Sequence, residues 1–423
     1  MRNGAKKRKK QMEVVHDNSR TISDITFQRT QEANAFQIPY YKLLKTYFIL
    51  TGQHPSQSNF VNKFIATLIV GTLVSYILPT YFQIHVSSRE KDWNGVIECM
   101  PHLVTSIISI TKLMSLQLNR KDLQKLYVSV KKDWEILELS GDLHVLEDMT
   151  KTGSKIALLY RCNLLLLLTL FVLIPMLNPA LDVIMPLNET RPRQTVFKAY
   201  YFVGDDEYFY SKYWHATISA AVCVLPIVGV DSFYMTIAHH AAGLFAACGC
   251  KIRKLTEDMG KRGIASEDIG FEEVRQCVVA HNKALEFAAF LDNMNRQNFL
   301  LQVGLNMIGI SVTAFQAATH LSELDQVMRF GMFCIGQNFH LFYISVPGQI
   351  IADQSIYLAR TLYDSEWYNA PVKIQKILLI IQMRASKPCE LTAGGLYKMN
   401  VETFGMTFKT CMSYFTMMLS MQE

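Results

Sequence analysis

Apolar residues in this chain are bunched rather than spread. Seven stretches carry them: 61–85, 95–118, 156–184, 216–245, 299–318, 327–351 and 404–421. Most lie near the roughly 20 residues an α-helix needs to cross a hydrocarbon core. The pattern predicts an all-α membrane protein with seven transmembrane helices. The second and seventh stretches are the weakest in apolar character, with Glu98, His102 and Lys112 in one and Lys409 in the other. Such side chains suit helices that face protein or water rather than lipid.

The helical pattern outruns the membrane. Around the fifth stretch it continues without proline from 271 to 320, roughly 75 Å at 1.5 Å per residue, against a core of about 30 Å. The fourth and sixth stretches continue towards Leu255 and Trp367. This predicts a cytosolic helical anchor bundle beneath the membrane, built from the inner ends of spans four to six and joined by the segment 372–385, whose Ile374, Ile377, Leu378 and Ile381 recur at helical spacing. Gly394-Gly395 separates that segment from the last helix. The predicted organisation is an N-terminal tail with a pre-membrane helix (1–58), spans one to six with their extensions (59–366), an anchor helix (367–393) and the last helix (394–423).

Composition agrees with a membrane protein. Half of the 423 residues are hydrophobic, 18% are charged, and mean hydropathy is +0.13. A soluble chain of this length needs more charge to cover its surface. The distribution of Lys and Arg then sets the orientation. They crowd the N-terminal tail, including Lys6-Lys7-Arg8-Lys9-Lys10, and the loops 119–155 and 251–275. The loop 321–326 has none. Basic loops in the cytosol put the N-terminus inside and the C-terminus outside. No cleavable signal peptide is visible, because no apolar run closely follows the basic one. The sequon Asn188-Glu189-Thr190 then falls in an extracellular loop, where glycosylation of Asn188 requires it. This orientation is the reverse of a G-protein-coupled receptor, and no NPxxY spacing or Asp-Arg-Tyr is present.

Other chemistry is absent. Cys248-Gly249-Cys250, preceded by His239-His240, does not have structural-zinc spacing, and its small residues fit close helix packing. No Walker-type phosphate loop and no HExxH occur, so no metal, no cofactor and no enzyme activity are expected. Asp205-Asp206-Glu207 reads either as a solvated loop or as a cluster that concentrates cations near a pore mouth. The last helix has two stripes. Thr403, Met406, Thr410, Ser413, Met417 and Met421 share one; Phe404, Phe408, Cys411, Phe415 and Met418 share the other. Ordinary packing inside a bundle accounts for that pattern as well as a pore wall does.

One succession of residues is more specific. Tyr357-Leu358-Ala359-Arg360 is followed by Trp367-Tyr368, an apolar stretch 377–383, Lys387-Pro388 and Leu391-Thr392-Ala393-Gly394-Gly395. A helix ending in Ser413-Tyr414-Phe415-Thr416-Met417-Met418-Leu419 closes the chain. This resembles the C-terminal signature of insect odorant receptors. The short loop 256–270 resembles the ligand-tuning subunit rather than the co-receptor, which has a long insertion there. A gustatory receptor, the nearest alternative, would have a Gln-Phe pair where this chain has Ser420-Met421. A solute transporter would show an internal repeat, and none is visible.

The resemblance implies a subunit of a heterotetrameric, odorant-gated, non-selective cation channel. It implies a plasma-membrane location in olfactory sensory neurons, among membrane lipid, with the odorant receptor co-receptor as partner. A volatile odorant and permeating cations are the small partners; nucleic acid is not one. By the same resemblance the last helix lines the pore. Thr410, Ser413, Met417 and Met421 lie on its pore face, and Met417 and Met421 take the gate positions after Tyr414. Glu402 and Lys409 flank that stripe, placed to pair within or between subunits. The odorant pocket is implied between spans two, three, four and six. Candidates for its wall are His102, Thr105 and Ser106, then Phe171 and Pro175, then Tyr210, Trp214 and Ile218, and last Phe333 and Asn338. For each of them taken singly, ordinary bundle packing is the commoner role. His102 is the leading polar candidate, because a histidine within a membrane needs a partner.

Overall fold

The protein is described here from a computed structural model, which covers residues 36–421 except 187, 188, 190, 192, 194, 205, 206 and 263–266. The basic run at 6–10, Asn188, Asp205 and Asp206 lie outside the described residues.

A short helix α1 (Lys42–Leu50) precedes the first long one, α2 (Asn59–Arg89). Ser58 caps α2 by accepting from the Val61 N–H at 3.2 Å, satisfying one of the free donors at a helix start. Then come α3 (Trp93–Leu118), α4 (Arg120–Ser140) and α5 (Leu143–Leu173). A 3-10 turn, Ile174–Met176, carries α5 into α6 (Leu177–Ile184). Two very long helices follow, α7 (Phe209–Arg262) and α8 (Glu267–Thr319), and then α9 (Leu324–Tyr363) and α10 (Val372–Ala385). The chain closes with a two-stranded hairpin, β1 (Thr392–Ala393) and β2 (Tyr397–Lys398), and α11 (Val401–Ser420).

Among the described residues five helical segments are long and apolar enough to cross a membrane: α2, α3, α5 with α6, α7 and α8. The sixth and seventh predicted stretches are helical too, as α9 and α11, but are not among those five. Asp325, Arg329, His340 and Asp353 lie along α9, and Glu402 and Lys409 on α11. The apolar faces of α2 and α5 stand open, with Phe60, Phe64, Leu68, Leu159 and Leu166 exposed. Faces of that size on a water-soluble monomer are rare.

The predicted loop 119–155 is not a loop. It forms α4 and the start of α5, which begins at Leu143 rather than 156. The helix is amphipathic, so hydropathy summed along the segment misses it. Its Leu123, Leu126, Tyr127 and Val130 are buried at spacings of three and four, the period of one helical face. The 251–275 stretch is likewise mostly helix, split between the ends of α7 and α8.

α7 is the centre of the molecule, packed against α1, α2, α3, α5, α8 and α9. The main core lies along its second half. There Phe233, Tyr234, Ile237 and Phe245 meet Tyr41 and Phe48 near the N-terminus and Tyr127 of α4. α10 joins this core through Ile374, Leu378 and Ile381, the stripe read from the sequence. The hairpin turns at Gly394 and Gly395, with φ of 65° and 75°, a left-handed conformation that glycine adopts without strain. It is fastened to α8: the Thr392 N–H and hydroxyl donate to Asp292 Oδ1 at 2.6 and 2.9 Å, and the Gly394 N–H donates to the Arg296 carbonyl at 2.9 Å.

The His239–Cys250 stretch serves packing. His239 fills a notch at Gly153 of α5, where an added Cβ would stand 2.6 Å from its ring. Cys248 donates to the Cys277 carbonyl at 3.7 Å. Among the described residues no group of three or more His, Cys, Asp or Glu could hold a metal ion.

Candidate functional site

A cavity of about 150 Å³ lies between α3, α5, α7 and α9. Tyr76 of α2, Asn306 of α8 and Phe197 of the 185–208 connection complete its wall. Its two ends differ. At the end beside that connection, His102 sits among three aromatic rings. Their centroids lie 4.7 Å (Phe197), 5.1 Å (Phe333) and 5.9 Å (Phe171) from the imidazole. Among the described residues no hydrogen bond reaches the His102 ring. The middle is apolar, formed by Leu164, Leu167, Val224 and Ile227. The deep end is polar, with Asn306, Gln337 and His340.

A buried polar network supports the deep end. The His340 Nδ1 lies 3.0 Å from Asn306 Oδ1, and Asn306 Nδ2 donates to the Gln302 carbonyl at 2.8 Å. On its other side His340 Nε2 is 3.1 Å from Asp231 Oδ2. Asp231 also accepts from the Tyr160 hydroxyl at 2.6 Å and forms an ion pair with Lys112. Both members of that pair are fully enclosed. Each charge is tolerable there because the other is present.

A second charged group holds the other end. Arg329 of α9 pairs with Glu98 of α3, and Lys198 lies 3.4 Å from Glu98 and 3.7 Å from Asp92. The Tyr200 N–H donates to the Pro79 carbonyl at 3.0 Å. These contacts fasten the connection that inserts Phe197.

Five of the ten candidate residues line the cavity: His102, Thr105, Ser106, Phe171 and Phe333. The other five do not. Pro175 is buried one turn beyond Phe171, in the 3-10 turn. Tyr210, Trp214 and Ile218 face outward, with Trp214 59% exposed. The reason is the phase of α7. Ser219, Ala220, Cys223, Val224 and Ile227 form the inward stripe, while Tyr210, Trp214 and Ile218 recur every fourth residue on another. Both stripes are largely apolar, so composition does not distinguish them. Asn338 donates to the Cys334 carbonyl at 2.9 Å; its neighbour Gln337 lines the cavity instead.

The sequence reading missed Tyr76, Phe197 and the whole deep polar end. A signal existed for Phe197. With Val196 it forms an apolar pair between Arg193 and Lys198, and both are buried. Asn306 and His340 also carried one, as strongly polar residues inside predicted spans.

On α11 the two stripes separate. Cys411 is buried, and the Ser311 hydroxyl of α8 donates to its carbonyl at 3.2 Å. Phe404 and Phe415 are half-buried on the same side. Phe408, expected with them, is exposed. Met406, Thr410, Ser413, Met417 and Met421 are all exposed, as are Glu402 and Lys409. The Thr410 and Ser413 hydroxyls donate to carbonyls of their own helix, Met406 at 3.0 Å and Lys409 at 3.2 Å. Thr403 instead belongs to the helix start: its N–H donates to the capping Asn400 side chain at 2.8 Å.

Fold and composition define a multi-pass helical membrane protein with a mostly apolar cavity. The family model for the 7tm odorant receptor matches residues 92–412, and the chain belongs to that family. It is 22% identical over 361 residues to odorant receptor Or2 of Anopheles gambiae, covering 84% of this chain and 92% of that protein. Over 206 residues it is 25% identical to odorant receptor 9a of Drosophila melanogaster, 49% of each chain. Its fold matches the insect olfactory receptor OR5 of Machilis hrabei solved in complex with eugenol. That match has a TM-score of 0.72 and 14% identity, over 90% of this chain and 97% of that one.

Proposed function

We propose that this chain is the odorant-binding subunit of a heteromeric, odorant-gated, non-selective cation channel. Family membership supports the receptor role, and the observation that carries the binding role is the 150 Å³ cavity with its aromatic end. A ligand site of this kind needs an apolar wall with few polar groups. In this reading a volatile odorant enters the cavity, and its wall includes His102, Thr105, Ser106, Phe171 and Phe333. The helix count is seven, with α9 and α11 as the sixth and seventh spans. The N-terminus is cytosolic and the C-terminus extracellular, and Asn188 is available for glycosylation. The core around α1, α4 and α10 is the cytosolic anchor where subunits meet.

The pore belongs to α11. Its exposed stripe of Thr410, Ser413, Met417 and Met421 faces away from the rest of the subunit, as a wall shared between subunits must. A ring of apolar side chains closes a pore by excluding water, and Met417 and Met421 form it here. Current recorded from cells expressing the chain with and without an odorant receptor co-receptor tests the reading. Odorant-evoked current is expected with the co-receptor, and none under any odorant would contradict it. Within that channel, Met417→Ser should wet the ring and raise current without odorant. Phe415→Ser, on the packed side, should instead lower surface expression.

A further inference from the structure

The cavity wall is apolar in the middle, yet three side chains on it keep hydrogen-bonding groups without a partner among the described residues. They are the Ser219 hydroxyl, the Gln337 amide and the His102 ring. The other polar groups there are occupied. Thr105 donates to the Pro101 carbonyl at 2.8 Å, and Asn306 is held by Gln302 and His340. Buried polar groups are rarely left unpaired without cause.

Two of these stand on facing walls, His102 on α3 and Gln337 on α9. Phe333 touches His102 edge-on at 5.1 Å, and Gln337 lies one turn of α9 deeper. The Gln337 amide rests in a notch at Gly309 of α8, where an added Cβ would stand 2.3 Å from its Oε1. His102 is fixed differently. Its ring is caged by Phe171, Phe197 and Phe333, so only its edge is free to bond.

From these observations we propose that the cavity takes an uncharged, one-ring-sized molecule carrying a hydroxyl group, and that His102 is the side chain that selects the hydroxyl. The proposal rests on the cavity being the ligand site. The size follows from the volume, since a cavity of about 150 Å³ accommodates benzene. The hydroxyl follows from imidazole chemistry. A neutral ring offers a donor on one nitrogen and an acceptor on the other. A hydroxyl answers whichever of the two faces the cavity; a carbonyl answers only the donor. The aromatic cage then sorts shape, and His102 sorts hydrocarbon from alcohol. Gln337 is the second polar contact, for a longer molecule that reaches the deep end.

Direct binding tests this without requiring the protein to conduct. Benzyl alcohol and ethylbenzene, matched in size, are titrated into the purified full-length chain in lipid nanodiscs. The wild type should prefer the alcohol by roughly fivefold to tenfold, the worth of one net hydrogen bond. His102→Phe keeps a ring in the cage and removes both nitrogens. It should erase the preference by weakening the alcohol and leave ethylbenzene bound at least as well. Gln337→Leu should retain most of the preference. Equal wild-type affinities, failure of both probes to bind, or a preference that survives His102→Phe would overturn the proposal. So would a preference lost in Gln337→Leu but kept in His102→Phe. If the binding preference behaves as expected and no odorant evokes current, the ligand assignment stands and the channel reading falls.

Discussion

The two halves of α7 are packed to opposite standards. From Asp231 to Phe245 every residue is buried, ringed by α1, α4, α5, α8 and α9. From Phe209 to Ile227 the helix alternates between an inward stripe bordering a void and an outward stripe of Tyr210, Trp214 and Ile218. Close packing gives stiffness, because a tightly filled interior has few alternative arrangements. A void gives the opposite: room for a guest and walls that repack around it. One helix thus supplies a rigid frame and an adjustable site. Asp231, Lys112, Tyr160 and His340 mark the boundary, closing the floor of the cavity against the packed half.

That boundary is where damage should be greatest. Asp231→Asn leaves Lys112 charged and enclosed without its counter-ion, a loss of about 3–5 kcal/mol, out of a stability that is typically about 5–15 kcal/mol. Surface expression should collapse, read by labelling an extracellular epitope. The double substitution Lys112→Met with Asp231→Leu removes both charges and should recover part of the expression, the remaining loss coming from Tyr160 and His340, which lose their acceptor. If Asp231→Asn alone expresses normally, the pair does not hold the boundary.

A smaller contrast separates the halves themselves. Leu378→Ala, on the buried face of α10 in the packed core, should cost about 2–5 kcal/mol and lower the thermal midpoint of the purified protein. Phe171→Ala borders a space that already exists. It should lower the midpoint less, while shifting the dose–response curve towards bulkier ligands. Equal losses of stability with no shift in ligand preference would erase the distinction between frame and site.

Much of the frame was legible in the sequence, because period and punctuation encode it. Ile374, Leu378 and Ile381 announce the buried stripe of α10, the proline-free run 271–320 announces α8, and Gly394-Gly395 marks the turn before α11. The hairpin at that turn was not legible, since its fastening is to Asp292 and Arg296 on a distant helix. α4 escaped because an amphipathic helix is not apolar on average. The site was half legible. His102, Thr105 and Ser106 of α3, Phe171 of α5 and Phe333 of α9 border the cavity, whereas Asn338 is turned from it and α7 has two stripes of similar character between which only packing chooses. Long-range pairings such as Lys112 with Asp231 leave no local pattern at all.

The central claim is that an odorant acts from the cavity rather than from elsewhere on the chain. Gly336 lies on its wall, and a Cβ added there would meet only Leu167, at an ordinary 3.5 Å. Gly336→Phe therefore plugs the space from a position with room for the first carbon. Recorded with the co-receptor, this variant should reach the surface and conduct when the co-receptor is activated by its own agonist, but lose odorant-evoked current. An unchanged odorant dose–response curve in that same channel would contradict the account.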